Sequence, residues 1–237
     1  MLFIRKYFRI SSTLIYIGIV FSGCATHPAV GTGRMEKGET QYGYAIAAEN
    51  IPFPYLWYRY GINDVSNVGV RVGVPIYGSG IDYSRLLYSR KDRWDVLNVA
   101  LSVNPNYNMD MTYYKFRERE KNGKTILSWF GIRGMYIRKG ISGGQSSRIG
   151  LLLGGKPGRI GYEIGYFHDF NSMPITSLFD PTWKNDSPEN IVRYGDTPHN
   201  IKSFYGLPSE YSRLTGISIQ VFFTLVSDKK KKIVSSE

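Results

Sequence analysis

Asn67-Val68-Gly69-Val70-Arg71-Val72-Gly73-Val74 sets a valine on every second position, with asparagine, glycine, arginine and glycine between them. A strict period of two belongs to a β-strand, whose successive side chains point to opposite faces. A helix would scatter the same valines around its circumference. The alternation returns at 160–167, where Ile160, Tyr162, Ile164 and Tyr166 oppose Gly161, Glu163, Gly165 and Phe167. It returns again at 217–225, with Ile217, Ile219, Val221, Phe223 and Leu225 against Ser218, Gln220, Phe222 and Thr224. Shorter versions run through 40–47 (Tyr42, Tyr44, Ile46), 55–62 (Leu56, Tyr58, Tyr60, Ile62) and 96–103 (Leu97, Val99, Leu101, Val103). Less regular segments at 80–89, 110–118, 125–138 and 147–154 complete a set of about ten strands.

The connections alternate in kind. Asn63–Asn67 and Gly155–Gly158 are compact turn sequences, and Lys121-Asn122-Gly123-Lys124 contains an Asn-Gly hairpin signal. Between them fall the longer stretches 75–80, 104–108, 140–147 and above all 170–210, which holds five of the eleven prolines. Loops beyond ~12–15 residues in a compact domain are commonly functional. Short turns therefore gather at one end of the sheet and long loops at the other. That asymmetry, with an even strand number, is the pattern of membrane-spanning barrels.

Alternation alone does not say which face is inside. A soluble barrel or sandwich turns its apolar face inward, and a membrane barrel turns it outward. The second face here is mostly small: Gly43, Ala45, Gly61, Gly69, Gly73, Ala100, Ser102, Gly161, Gly165 and Ser218. Arg59, Arg71, Glu163 and Gln220 punctuate it, and these four are the expected lumen-facing polar residues. Small residues with isolated charges suit a narrow lumen, where arginine and glutamate pair across the barrel. Tyr42, Tyr60, Tyr162 and Tyr166 stand near strand ends of the apolar face, as in the aromatic girdles of membrane barrels. Over 39–227 the pattern resembles the small outer-membrane β-barrel proteins. Arg85 falls on the apolar face, where a mid-membrane charge costs ~2–4 kcal/mol. The last strand ends near Val226 and is followed by a basic tail, 228–237, rather than closing on an aromatic residue.

The N-terminal stretch is of another kind. Arg5, Lys6 and Arg9 precede an apolar run from Ile10 to Phe21, and Phe21-Ser22-Gly23 leads to Cys24, the one cysteine of the chain. A cationic head, a short apolar run and small residues make a cleavable secretory signal over 1–23. The run is short of the ~20 apolar residues that a spanning helix needs. Phe21-Ser22-Gly23-Cys24 resembles the lipobox of bacterial lipoproteins, with Phe21 where that family usually has an aliphatic residue. The resemblance implies lipidation of Cys24, removal of the preceding peptide and, with Ala25 next, transport to an outer membrane. Residues 24–38 then read as a lipidated, flexible tether.

The formal net charge of +11 suits anionic lipid headgroups or cell-envelope polymers. Nucleic acid is not expected, because no nucleic-acid motif accompanies the charge. Gly150–Pro157 approaches a phosphate-binding loop, but Pro157 replaces the hydroxyl residue and a strand follows instead of a helix. His168, with Glu163, Asp169 and Ser172 nearby, is the one cluster with hydrolytic potential, in the manner of outer-membrane lipid A deacylases. Its spacing matches no catalytic motif, and a solvated histidine at the barrel rim is the expectation. His27 and His199 have no metal-ligand spacing around them. Lys229–Lys232 reads as a solvated basic run.

The expectation is an all-β chain: an antiparallel up-and-down barrel of about ten strands behind a cleaved signal peptide and a tether. Its function class is a lipid-anchored cell-envelope protein of the outer membrane, with a structural or surface-interaction role carried by the 170–210 loop. No enzyme activity, metal or cofactor is expected beyond the lipid on Cys24. Two alternatives stay open: a small channel for polar solutes, and a periplasmic soluble barrel or sandwich binding an apolar ligand.

Overall fold

A computed structural model of the chain describes residues 34–48, 52–73, 79–102, 108–121, 123–137, 146–169 and 217–228. The signal segment, Cys24, His27, Ser172, His199, the 170–210 loop and the four-lysine run lie outside the described residues. Ten strands follow one another: β1 (Thr40–Ala48), β2 (Pro52–Asn63), β3 (Ser66–Gly73), β4 (Gly80–Ser89), β5 (Arg93–Ser102), β6 (Asn108–Lys121), β7 (Lys124–Ile137), β8 (Ser146–Pro157), β9 (Ile160–Asp169) and β10 (Ile217–Asp228). Each pairs with its sequence neighbour, and β1 pairs antiparallel with β10, so the sheet is a closed barrel. The all-β, up-and-down, ten-stranded architecture expected from the alternation is the one the chain adopts.

Turn chemistry sets the register at one end. Lys121 pairs with Lys124 across Asn122-Gly123, and Gly123 has a φ of 68°, in the left-handed region a primed hairpin turn demands.

 Gly38, just ahead of β1, has a φ of 78°, and Gly158, between β8 and β9, a φ of 92°. At the β2–β3 turn, the Asn63 side-chain oxygen accepts the Val65 amide at 3.0 Å, the local bond that makes asparagine a turn former. These compact turns, with the one joining β4 to β5, share one end of the barrel, called here the turn end. Gly150–Pro157, the near match to a phosphate-binding loop, is part of β8 and runs straight into that end.

Burial is inverted relative to a soluble barrel. Outward positions carry exposed aliphatic and aromatic side chains on all ten strands, among them Leu56, Val72, Ile81, Met111, Leu153 and Ile219. Inward positions carry buried polar and charged groups beside buried rings. Arg85 is outward and exposed, as its register requires, but it pairs with Ser66, the first residue of β3, and so stands beside a turn rather than at mid-height.

The small inward face is not a hollow. Gly43, Gly131, Gly150, Gly154 and Gly161 stand directly opposite Trp57, Tyr114, Phe167, Trp129 and Phe222 on neighbouring strands. In each case a Cβ on the glycine would strike the opposing ring. The glycines exist to let those rings lie flat against the wall, a cross-strand device that pins register. With β8 and β9 reduced to Gly154 and Gly161, the Trp129 ring of β7 reaches the Phe222 ring of β10, with centroids 6.1 Å apart. A lumen of small residues with isolated charges was the expectation, and the structure corrects it: large rings fill much of that space.

Residues 34–38 also depart from a flexible tether. Arg34 donates to the Ser89 hydroxyl at 2.7 Å and to the Lys91 carbonyl at 3.2 Å, and bonds the Arg90 carbonyl as well. Its guanidinium lies 4.3 Å from the centre of the lumen-facing Trp94 ring. Met35 is buried, the Lys37 amide donates to Asp64, and the Gly38 amide donates to the Gly61 carbonyl at 2.8 Å. The segment is a strap along the turn end, running from the β4–β5 turn past the β2–β3 turn into β1.

Two substitutions test these contacts. Gly161→Ala is expected to destabilise the barrel by about 1–3 kcal/mol through overpacking against Phe222, and Phe222→Leu in the same chain is expected to restore part of that loss. Arg34→Ala is expected to cost about 1–2 kcal/mol through its lost carbonyl bonds and ring contact. Urea unfolding of the folded protein measures both.

Candidate functional site in the barrel lumen

The lumen divides along the barrel axis. Near the turn end, Trp94 stacks on Phe116 with centroids 5.6 Å apart, and Phe116 meets Trp129 at 5.8 Å. With Phe222 these rings make an aromatic floor reaching from β5 to β10. Glu39 and Gln41, both buried, sit at the same end, and the Gln41 amide donates to the Glu39 carboxylate at 3.0 Å.

Above the floor, alternate positions of β2 to β5 build one polar cluster. Arg59 is ion-paired with Asp82 on β4, and its second amino group donates to Asn67 at 2.6 Å and to Ser84 at 3.3 Å. Asn98 of β5 donates to Asp82 at 2.8 Å and to Ser84 at 2.9 Å. No side chain at Gly69 separates β3 from this pair; a Cβ there would collide with the Asp82 carboxylate. Charges taken from water need this degree of pairing, because an isolated buried charge costs several kcal/mol.

A second cluster spans β6 to β9. Arg133, fully buried, donates from Nε to Thr112 at 2.7 Å and from Nη2 to the Tyr114 hydroxyl at 2.6 Å. The same nitrogen is 3.9 Å from the Glu163 carboxylate. Glu163 also accepts from the Trp129 indole at 2.9 Å, which ties the charged cluster to the aromatic floor. Arg71 and Gln220, on β3 and β10, are buried too, and Arg71 donates to the Ser102 hydroxyl at 3.2 Å.

The four polar residues read as lumen-facing thus occupy different places. Arg59 belongs to the first cluster, Glu163 to the second, and Arg71 and Gln220 stand outside both. The structure does not bring Arg59 and Glu163 together: each has its own partner, Asp82 or Arg133. Those partners were missed in the sequence because β4 and β7 alternate weakly. The one available signal was a charge at an inward-parity position, Asp82 between Ile81 and Tyr83, and Arg133 between Ile132 and Gly134.

Within the cluster read around His168, Glu163 and His168 are not brought together. Glu163 points into the lumen, whereas His168 pairs with the outward Ile149 and takes the opposite face of β9. His168 is also buried, at 5% exposure, not a solvated rim histidine. Its Nδ1 lies 3.4 Å from the Tyr166 hydroxyl. Among the described residues no group of three or more His, Cys, Asp or Glu is placed to hold a metal ion. No family model, curated protein or solved structure matches this chain.

The paired arginine of the first cluster supplies the test. Arg59→Met leaves Asp82 buried without its counter-charge and is expected to cost about 3–5 kcal/mol. Arg59→Met with Asp82→Leu is expected to recover most of that loss, since both charges are then gone. A double-mutant cycle from urea midpoints reads the coupling, and additivity of the two single effects would rule out the pair.

Proposed function

We propose that this chain is a lipid-anchored β-barrel of the bacterial outer membrane, with a structural or surface-interaction role. The observation that carries the proposal is the inversion of burial: apolar side chains cover the outside while arginine, aspartate and glutamate lie inside. In water that arrangement would expose far more apolar surface than soluble monomers tolerate. In a bilayer it is the favourable one.

The dimensions agree. From Pro54 to Ile62 the outward face of β2 is uncharged, a strand length of about 26 Å. At a strand tilt of about 40° this gives a height of about 20 Å, close to the ~25 Å apolar band of membrane barrels. Tyr42 and Tyr60 near the turn end suit one lipid–water boundary. The resemblance of Phe21–Cys24 to a lipobox supports acylation of Cys24 and a periplasmic address for the turn end. Loops of the opposite end, 170–210 foremost, would then face outward and carry recognition.

Conduction is the less supported role. The aromatic floor, the two charged clusters and the strap occupy space that a pore would need, as expected for a barrel small enough to fill its own lumen. An apolar ligand inside a soluble barrel has less support still, since the apolar face is turned outward.

Expression of residues 25–237 without signal or lipid tests the membrane reading. The expected result is β-type circular dichroism and heat-modifiable gel mobility in detergent micelles, with aggregation in plain buffer. A monodisperse folded species in plain buffer would overturn it. Planar-bilayer recordings of the folded protein are expected to show no discrete openings. In a bacterial host, the full chain is expected to incorporate labelled palmitate and Cys24→Ser is not.

A further inference from the structure

The outward face of β6 changes character within one strand. Met109, Met111 and Tyr113 belong to the apolar band, and the next outward residues are Lys115, Arg117 and Arg119, all exposed. On β5 the outward Val99 and Leu97 give way to Asp95 and then Arg93. On β4, Arg85 extends the basic surface at the edge of the band. Toward the turn end of the other strands, the described outward residues are uncharged, among them Tyr60, Ile160 and Leu225. The basic surface is therefore one-sided, and it continues the apolar band without a break.

Its internal arrangement points to an anion. Arg93 and Arg117 stand directly opposite each other on the same face of β5 and β6, a cross-strand pairing of like charges that is unfavourable by itself. The acidic groups around them do not cancel the patch. Asp95 faces Lys115 and accepts the Tyr113 hydroxyl at 2.6 Å. Asp92 lies 3.5 Å from the Arg93 guanidinium in an exposed pair, of the kind that contributes little. Glu118 and Glu120 are on the other face of β6 by alternation. An anion seated between Arg93 and Arg117 would relieve their repulsion, with Lys115 one residue pair nearer the band.

We propose that Arg93, Lys115 and Arg117, with Arg85 above them, bind the phosphate headgroups of anionic phospholipids at the turn-end boundary of the membrane. The proposal rests on the membrane reading, which puts a layer of lipid phosphates at the level where the apolar band stops. Guanidinium groups suit it because their forked donors match phosphate oxygens.

The experiment is native mass spectrometry of the folded protein released from nanodiscs holding equal phosphatidylglycerol and phosphatidylethanolamine. The expected result is retention of phosphatidylglycerol over phosphatidylethanolamine, weakened about fivefold for each charge removed in Arg93→Gln/Arg117→Gln. Arg93→Lys/Arg117→Lys, which keeps both charges, is expected to hold most of the preference and guards against a misfolded glutamine variant. Arg159→Gln, in the β8–β9 turn, is expected to leave retention unchanged. Equal retention of the two lipids by the unaltered protein would overturn the proposal, as would an equal loss in Arg159→Gln. Heat-modifiable mobility in the same samples separates the two levels of inference: a chain that inserts without lipid preference defeats the headgroup site alone, and one that does not insert defeats the membrane reading with it.

Discussion

Thr40–Ala48 and Ile219–Asp228 pair across the seam that closes the sheet, and without that seam β1 and β10 would each carry a row of unpaired amides and carbonyls. An open edge is a liability in water and prohibitive in hydrocarbon, where no solvent satisfies the backbone. The seam joins segments about as far apart in sequence as the described chain allows, and it includes a register shift between Tyr42 and Gly43. Gly43 also makes room for the seam, because a Cβ there would meet the Phe223 carbonyl and the Trp57 ring. The strap at 34–39 leads directly into β1, so the same region that closes the ladder also covers the turn end.

Closure then dictates the interior. A ten-stranded wall encloses a narrow space, which must be filled or hydrated, and this chain fills it in two ways. Rings laid over opposing glycines take the volume near the turn end, and ion pairs embedded in hydrogen bonds take the next layer. The two are physically joined at Trp129, whose indole donates to Glu163 while its ring touches Phe116 and Phe222. A lumen filled in this way favours a role exercised by the loops and the outer surface over one exercised through the middle.

The outer surface carries its own division. An apolar band surrounds the barrel, and below it one side alone becomes basic on β4, β5 and β6. On the proposed membrane placement, a barrel uniform in its band yet lopsided at one boundary has a preferred side toward lipid. The strap begins beside that same side, since Arg34 is fixed to the β4–β5 turn.

Sequence by itself determined the strands and their two faces, because a period of two is a local property that needs no knowledge of partners. It also determined turn end and loop end, because compact turn sequences such as Asn122-Gly123 are short-range chemistry, although the turn read at Gly155–Gly158 falls one step later, at Gly158-Arg159, with Gly155–Pro157 inside β8. Val68, Val70 and Val72 announced their strand in this way, and Arg71 its inward place. Tertiary structure alone decided which inward residues meet. Asp82 finds Arg59 and Arg133 finds Glu163 through strands that are not neighbours, a matter of barrel curvature that leaves no spacing rule in the chain. The glycines show the same limit: their smallness was visible, but its cause, a ring on the facing strand, depends on register. His168 and Arg34 were misjudged for a like reason, since the burial of a strand end and the docking of a strap are set by what packs against them.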